Sequence, residues 1–263
     1  METPYLLIAS FFVLGILQSP AAFSAPAYAL TVGEGFVDPL GYHDATPVFS
    51  WKLPDGVKKQ TAYCIETKAG GSRWDSGWIQ SDQSALVPYK GTPLRSRERV
   101  EWRVAFRDEN GKDFGWSEPA HFELGLLSSK EWSAQWIRPQ GERGPGKEAV
   151  AWLRRDFSVE KDVVRARIYV TSRGLFELQL NGSRVGNDHF ANGWTSYHNR
   201  LDTLTYDVTD QLHHGANTIG AMLGKGWYAG RLTWEKDKLK GRYGDYPELL
   251  LQLEITYQDG SSI

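Results

Sequence analysis

Two stretches carry the residue types that could do chemistry. The first is the loop Gly186-Asn187-Asp188-His189-Phe190-Ala191-Asn192-Gly193-Trp194, and the second is the pair Trp227-Tyr228. A pyranose ring is held by an aromatic face together with a few amide or carboxylate groups, so Asp188, Asn192, Trp194, Trp227 and Tyr228 form a candidate carbohydrate-binding set. Calcium could add to such a site by bridging hydroxyls through oxygen ligands, although nothing in the set requires a cofactor. The structural alternative is that Trp194 and Trp227 anchor loops while Asp188 closes a turn. Other chemistries fail on the residues themselves. Gly224-Lys225-Gly226 lacks the length and the Lys-Ser/Thr ending of a phosphate-binding loop, and no Gly-x-Ser-x-Gly elbow occurs. His213 and His214 are adjacent, so their side chains diverge, and the other histidines lack zinc spacing. Cys64 is the only cysteine, which excludes an internal disulfide and a thiolate cluster, and its strand-like surroundings read as a small buried apolar residue.

The elements that must position these residues are strands. Phe176, Leu178 and Leu180 alternate with Glu177 and Gln179, and Asn181-Gly182 then supplies the positive φ angles of a tight hairpin turn. Ala166, Ile168 and Val170 alternate with Arg165, Arg167 and Tyr169, and Ile219, Ala221 and Leu223 form a third apolar face. Each strand is read as apolar on one side only, so a second layer must cover it, and a jelly-roll-like sandwich is expected. Upstream, Phe49, Trp51 and Leu53 alternate with polar residues, as do Val100, Trp102, Val104 and Phe106. Turn signals at Pro54-Asp55-Gly56, Gly70-Gly71-Ser72 and Asn110-Gly111 separate such runs at the intervals of an immunoglobulin-like or fibronectin-like sandwich. The fold class is therefore all-β, with two antiparallel β-sandwiches in tandem.

Composition agrees with that class. The chain has 263 residues, 11 Trp and 12 Tyr, and flat rings fill the space between sheets as readily as they bind sugars. A net charge of −2 offers no basic field, which sets nucleic acid aside as a partner. The apolar run Leu6 to Leu17, followed by Ala27-Tyr28-Ala29, reads as a secretory signal spanning 1–29, although no Lys or Arg precedes it. Export to the periplasm or the extracellular space follows from that reading. A first domain is expected over 30–125, a Gly- and Pro-rich surface connection that also starts the next domain near Trp132 over 126–150, and the main part of the second domain over 151–263. The densely charged run from Arg231 to Lys240 reads as a solvated loop or short surface helix. Leu249, Leu251, Leu253 and Ile255 form a strand entering a turn at Asp259-Gly260, after which no returning strand is read, leaving an open edge and an incomplete sandwich.

Several blocks together resemble the N-terminal region of bacterial α-L-rhamnosidases. They are Leu180 to Gly186, Gly193 to Tyr197, Tyr206 to Asp210 and Leu223 to Tyr228, preceded by Glu131 to Ile137. Trp74 to Gly77, Ser81 to Ser84, Tyr89 to Arg97 and Trp116 to Pro119 are similar to the fibronectin-like module that comes before that sandwich. The resemblance implies a parent enzyme that inverts at terminal α-L-rhamnosides, with its catalytic carboxylates on a helical (α/α)6 barrel absent from these residues. Inverting hydrolysis needs a carboxylic acid and a carboxylate about 6.5–9.5 Å apart. No such pair can be named here, and no catalytic residue is assigned. Some sandwiches of this family bind L-rhamnose with calcium, so a rhamnose-containing glycan is the expected partner, besides the downstream catalytic domain. The alternatives are a free-standing carbohydrate-binding module and a structural spacer.

Overall fold

A computed structural model describes residues 25–140, 150–233 and 241–263. The run Leu6 to Leu17 and the residues from Trp234 to Lys240 lie outside them. The first domain begins with β1 (Tyr28–Val32), β2 (Leu40–Tyr42), β3 (Val48–Lys52) and β4 (Gln60–Ala69), continues through β5 (Ser72–Asp75), β6 (Ile79–Gln80) and β7 (Val87–Pro88), and closes with β8 (Arg99–Asp108), β9 (Asp113–Trp116) and β10 (Ala120–Leu124). Strands β1, β3 and β7 make one sheet, and β2, β10, β8, β4 and β5 the other, with β6 on β4 and β9 on β8. Pairing is antiparallel except between β10 and β2, which run parallel, a departure from the purely antiparallel expectation. The alternating rings behave as the sequence requires: Phe49, Val100, Trp102, Val104 and Phe106 are sealed between the sheets, and Trp102 lies 4.3 Å from Phe49, centroid to centroid. Cys64 is buried beside Asp75, and burial first, then the Asp75 contact, pushes its thiol up to about 11.

The second domain comprises β11 (Ala151–Val159), β12 (Val163–Arg173), β13 (Leu175–Leu180), β14 (Ser183–Arg184), β15 (Leu204–Asp207), β16 (Gly215–Gly224) and β17 (Glu248–Tyr257). One sheet has the order β11-β16-β13-β14 and the other β15-β12-β17. Their facing sides enclose a separate core of Ile168, Val170, Phe176, Leu178, Leu180, Leu223 and Ile255. Asn181 and Gly182 take φ values of 53° and 82°, so the Asn-Gly turn joins β13 to β14 as its residue types demand. One turn of helix, α1 (Gly226–Ala229), follows β16 and is the only α-helix among the described residues.

One reading is corrected here. Strand β12 is not apolar on one side and solvated on the other, because Arg167 and Tyr169 are buried at 8% and 2% exposure. Their side of the sheet is covered by the first domain. Arg167 donates from Nε and Nη2 to Glu123 at 2.8 and 2.9 Å, and Arg97 lies over the Tyr169 ring at 5.8 Å. Arg97 also donates to Glu131 and Glu254, and Gly41 packs so closely on Thr205 that a Cβ would stand 2.4 Å from its Oγ1. The connection is also tied into the second domain. Ile137 exchanges backbone hydrogen bonds with Leu249, and the Gln252 side chain accepts from the backbone N–H groups of Ser133 and Ala134. After β17 and its turn, Ile263 exchanges backbone hydrogen bonds with Ile255, but no further strand follows among the described residues and β17 stays at the edge of its sheet.

Candidate functional site

The loop between β14 and β15 and the segment after β16 meet at one end of the second domain. Antiparallel pairing fixes that meeting, since Leu175 at the start of β13 lies opposite Gly224 at the end of β16. Gly226, at φ 48°, then sits against the Leu175 side chain and starts α1, which carries Trp227 and Tyr228. Trp194 arrives from the other loop. The two indoles are parallel within 5° with centroids 6.3 Å apart, an offset stack. Both stay open to water, Trp194 at 59% exposure and Trp227 at 39%. A parallel pair of indoles left uncovered is a flat apolar ledge, the shape that the C–H face of a pyranose fits. Phe190, 68% exposed, is a third open ring on the same loop.

The other candidate residues are drawn elsewhere. Asn192 is buried and structural: its Oδ1 accepts from the backbone N–H and the hydroxyl of Ser172 at 3.1 and 2.8 Å, and its Nδ2 donates to the Asp202 carbonyl at 3.0 Å. A side chain with both ends occupied inside the fold has nothing left for a ligand. Asp188 accepts from the Tyr206 hydroxyl at 2.9 Å, and burial together with that carboxylate drives the phenol well above its ordinary range. Gly186 allows the Tyr206 ring to lie where a Cβ would collide. Asp188 therefore anchors the loop to β15. Tyr228 packs edge-on against Tyr197 at 5.3 Å and parallel to Tyr243 at 6.5 Å. These three rings, with His198 5.0 Å from Tyr243, form one aromatic cluster next to α1. Tyr243 was missed because Gly241-Arg242-Tyr243-Gly244 has no periodicity to mark it. No signal would have found it.

Among the described residues no group of three or more His, Cys, Asp or Glu is placed to hold a metal ion. Asp188 is the single carboxylate of the Gly186–Trp194 loop, whereas calcium takes about six to eight oxygens. That donor set does not fit the ion, and no step is routed through it.

Comparison with known proteins matches both domains to family models. Residues 27–128 match the "Rha78A-like, N-terminal immunoglobulin domain", and residues 161–263 match the "Alpha-L-rhamnosidase N-terminal domain". An alpha-L-rhamnosidase of Formosa agariphila is 38% identical over 275 residues, covering 98% of this chain and 30% of the relative. The solved alpha-L-rhamnosidase of Aspergillus terreus superposes with a TM-score of 0.77 at 36% identity, covering 89% of this chain and 28% of that one. That of Streptomyces avermitilis, solved with L-rhamnose, gives 0.78 at 25% identity over 89% of this chain and 40% of that one. The chain thus spans about 30% of the length of the curated relative it matches.

Proposed function

We propose that this chain, whose two domains match family models for the α-L-rhamnosidase N-terminal region, is the exported, non-catalytic N-terminal portion of an α-L-rhamnosidase and holds rhamnose-containing glycans on the Trp194–Trp227 ledge. The observation that carries the binding role is the exposed parallel indole pair. Stacking of two large rings normally serves to bury them, and these two remain in water. L-Rhamnose is a 6-deoxy sugar, so its methyl group and ring hydrogens offer the apolar face such a ledge accepts. The carboxylate pair for hydrolysis is assigned to a barrel outside these residues.

Calorimetry with L-rhamnose, with and without added calcium, tests the reading. Trp194→Ala should weaken binding about tenfold, which is about 1.4 kcal/mol, and leave the melting temperature unchanged. Trp78→Ala, which removes a ring stacked on Arg107 in the first domain, should leave binding intact. Equal affinity in the wild type and the Trp194 variant would remove the ledge from the proposal. The chain alone should release nothing from an aryl α-L-rhamnoside, and turnover would overturn the non-catalytic assignment.

Export supplies a second check. The processing point is drawn forward from Ala29 on one observation: Ala27 is 3% exposed in the core, and Tyr28 in β1 pairs with Lys52. Cleavage after Ala29 would strip that strand of its first residues. N-terminal sequencing of the secreted protein should therefore begin no later than Ala27, and a start at Leu30 would contradict it.

A further inference from the structure

Strand β11 is the outermost strand of its sheet, and its far side has no strand partner among the described residues. Nine residues, Ala151 to Val159, pair with β16 on one side only. An unpaired edge of that length is a template for another strand. Natural edges are usually guarded by charge, and β11 carries on its outer face Arg154 and Asp156, which pair with each other at 3.0 Å while their side chains stay 70% and 65% exposed, so a second copy could share them in a four-charge network. Here the charges alternate in sign about a central residue, which converts the guard into a recognition pattern.

We propose that β11 is a homodimer interface, in which a second copy of this chain adds its own β11 antiparallel about a two-fold axis through Arg155. In that register Arg154 lies opposite the partner copy's Asp156 and Asp156 opposite its Arg154, so both charged pairs are complementary. On the inner face Leu153 lies opposite the other copy's Phe157. Both residues are only half-buried at the rim of the core, so each would gain cover. Trp152, 64% exposed, falls opposite Ser158 with room for its ring. Centring on either neighbour would face Arg154 with Arg154 or Asp156 with Asp156 and form no opposite-charge pair, whereas the Arg155 register sets two opposite-charge pairs against one like pair, so charge favours this alignment. Arg155 meets itself on the axis, and its exposure to water keeps that repulsion screened. The two β11 strands would join both four-stranded sheets into one. Trp227 follows β16 at the end where Leu223 pairs with Ala151, so the two ledges would stand at opposite ends of the joined sheet.

Sedimentation across a range of concentrations tests this with the chain as it is. The wild type should show a reversible dimer as concentration rises. Arg154→Asp alone and Asp156→Arg alone should each be monomeric with unchanged circular dichroism. The double variant Arg154→Asp/Asp156→Arg should dimerise again, because the two-fold restores complementarity. Arg155→Cys should form an interchain disulfide under mild oxidation, since residues directly opposite in an antiparallel ladder have Cα atoms about 4.5–5.5 Å apart, within disulfide reach. Ser158→Cys, several residues off the axis, should not. A monomer at every concentration, a dimer indifferent to the single charge reversals, a double variant that stays monomeric, or equal cross-linking at the two cysteine positions would each overturn the proposal.

Discussion

Replacing Arg167 with alanine should lower the stability of the chain by about 3–5 kcal/mol, the loss expected when one member of a buried ion pair is removed. The Arg167 and Glu123 side chains are 10% and 6% exposed, and the two hydrogen bonds between them span the two domains. Without Arg167, the Glu123 carboxylate is left inside the interface without its hydrogen-bond partner. Asp207, 2.8 Å from Nη1 of the same guanidinium, loses a partner as well. Thermal melting should register a drop of roughly 10 °C for a chain of this size. The double variant Arg167→Ala/Glu123→Ala should be less damaged than the two single losses added together, because it leaves no orphaned charge. Additive losses would show that the pair does not act as a unit. Acid offers a second readout. Burial works against ionisation of Asp207, but Thr209 and Arg167 outweigh it and hold its carboxyl below the ordinary range. A carboxylate depressed in the folded state stabilises at pH values above its unfolded value, about 3.9, and that contribution is lost as the pH falls through the folded value. Glu254, depressed against burial chiefly by Arg97, behaves in the same sense. The wild type should therefore lose stability below about pH 4, and Arg167→Ala should show a shallower acid dependence.

Asn192→Ala should cost roughly 2–4 kcal/mol and leave sugar affinity of the folded protein unchanged, because an orphaned buried polar group costs about 1–3 kcal/mol. The backbone N–H of Ser172, a residue with 0% exposure, would lose its acceptor, and the Asp202 carbonyl its donor. The Ser172 bond fastens the β14–β15 loop to β12, and the Asp202 bond ties two parts of the loop together. This outcome is opposite to that of Trp194→Ala, which should weaken binding with no change in melting. Calorimetry and melting on the two variants separate the roles. If Asn192→Ala left stability intact and abolished binding, Asn192 would be a ligand residue and its structural assignment would be wrong.

The sequence alone determined the strands, because side-chain alternation and turn chemistry are local. Phe176, Leu178 and Leu180 had to share a face, Asn181-Gly182 had to turn, and Phe49 and Trp102 had to lie inside. It also determined that Trp194 and Trp227 were the aromatic residues to examine, and the order of two family-like domains. Alternation says which side chains share a face, but not what covers the opposite one. That is why alternation put Arg167 and Tyr169 on the face away from the apolar one but could not show that the first domain buries them. Only the tertiary structure decided which polar groups of the loop were already engaged. Asn192 turned inward to Ser172 and Asp202, and Asp188 turned to Tyr206. A hydrogen-bond partner distant in the chain leaves no local trace in residue type or spacing. The same holds for the ledge, whose parallel indoles exist only because strand pairing brings two loop ends to one edge of the sandwich.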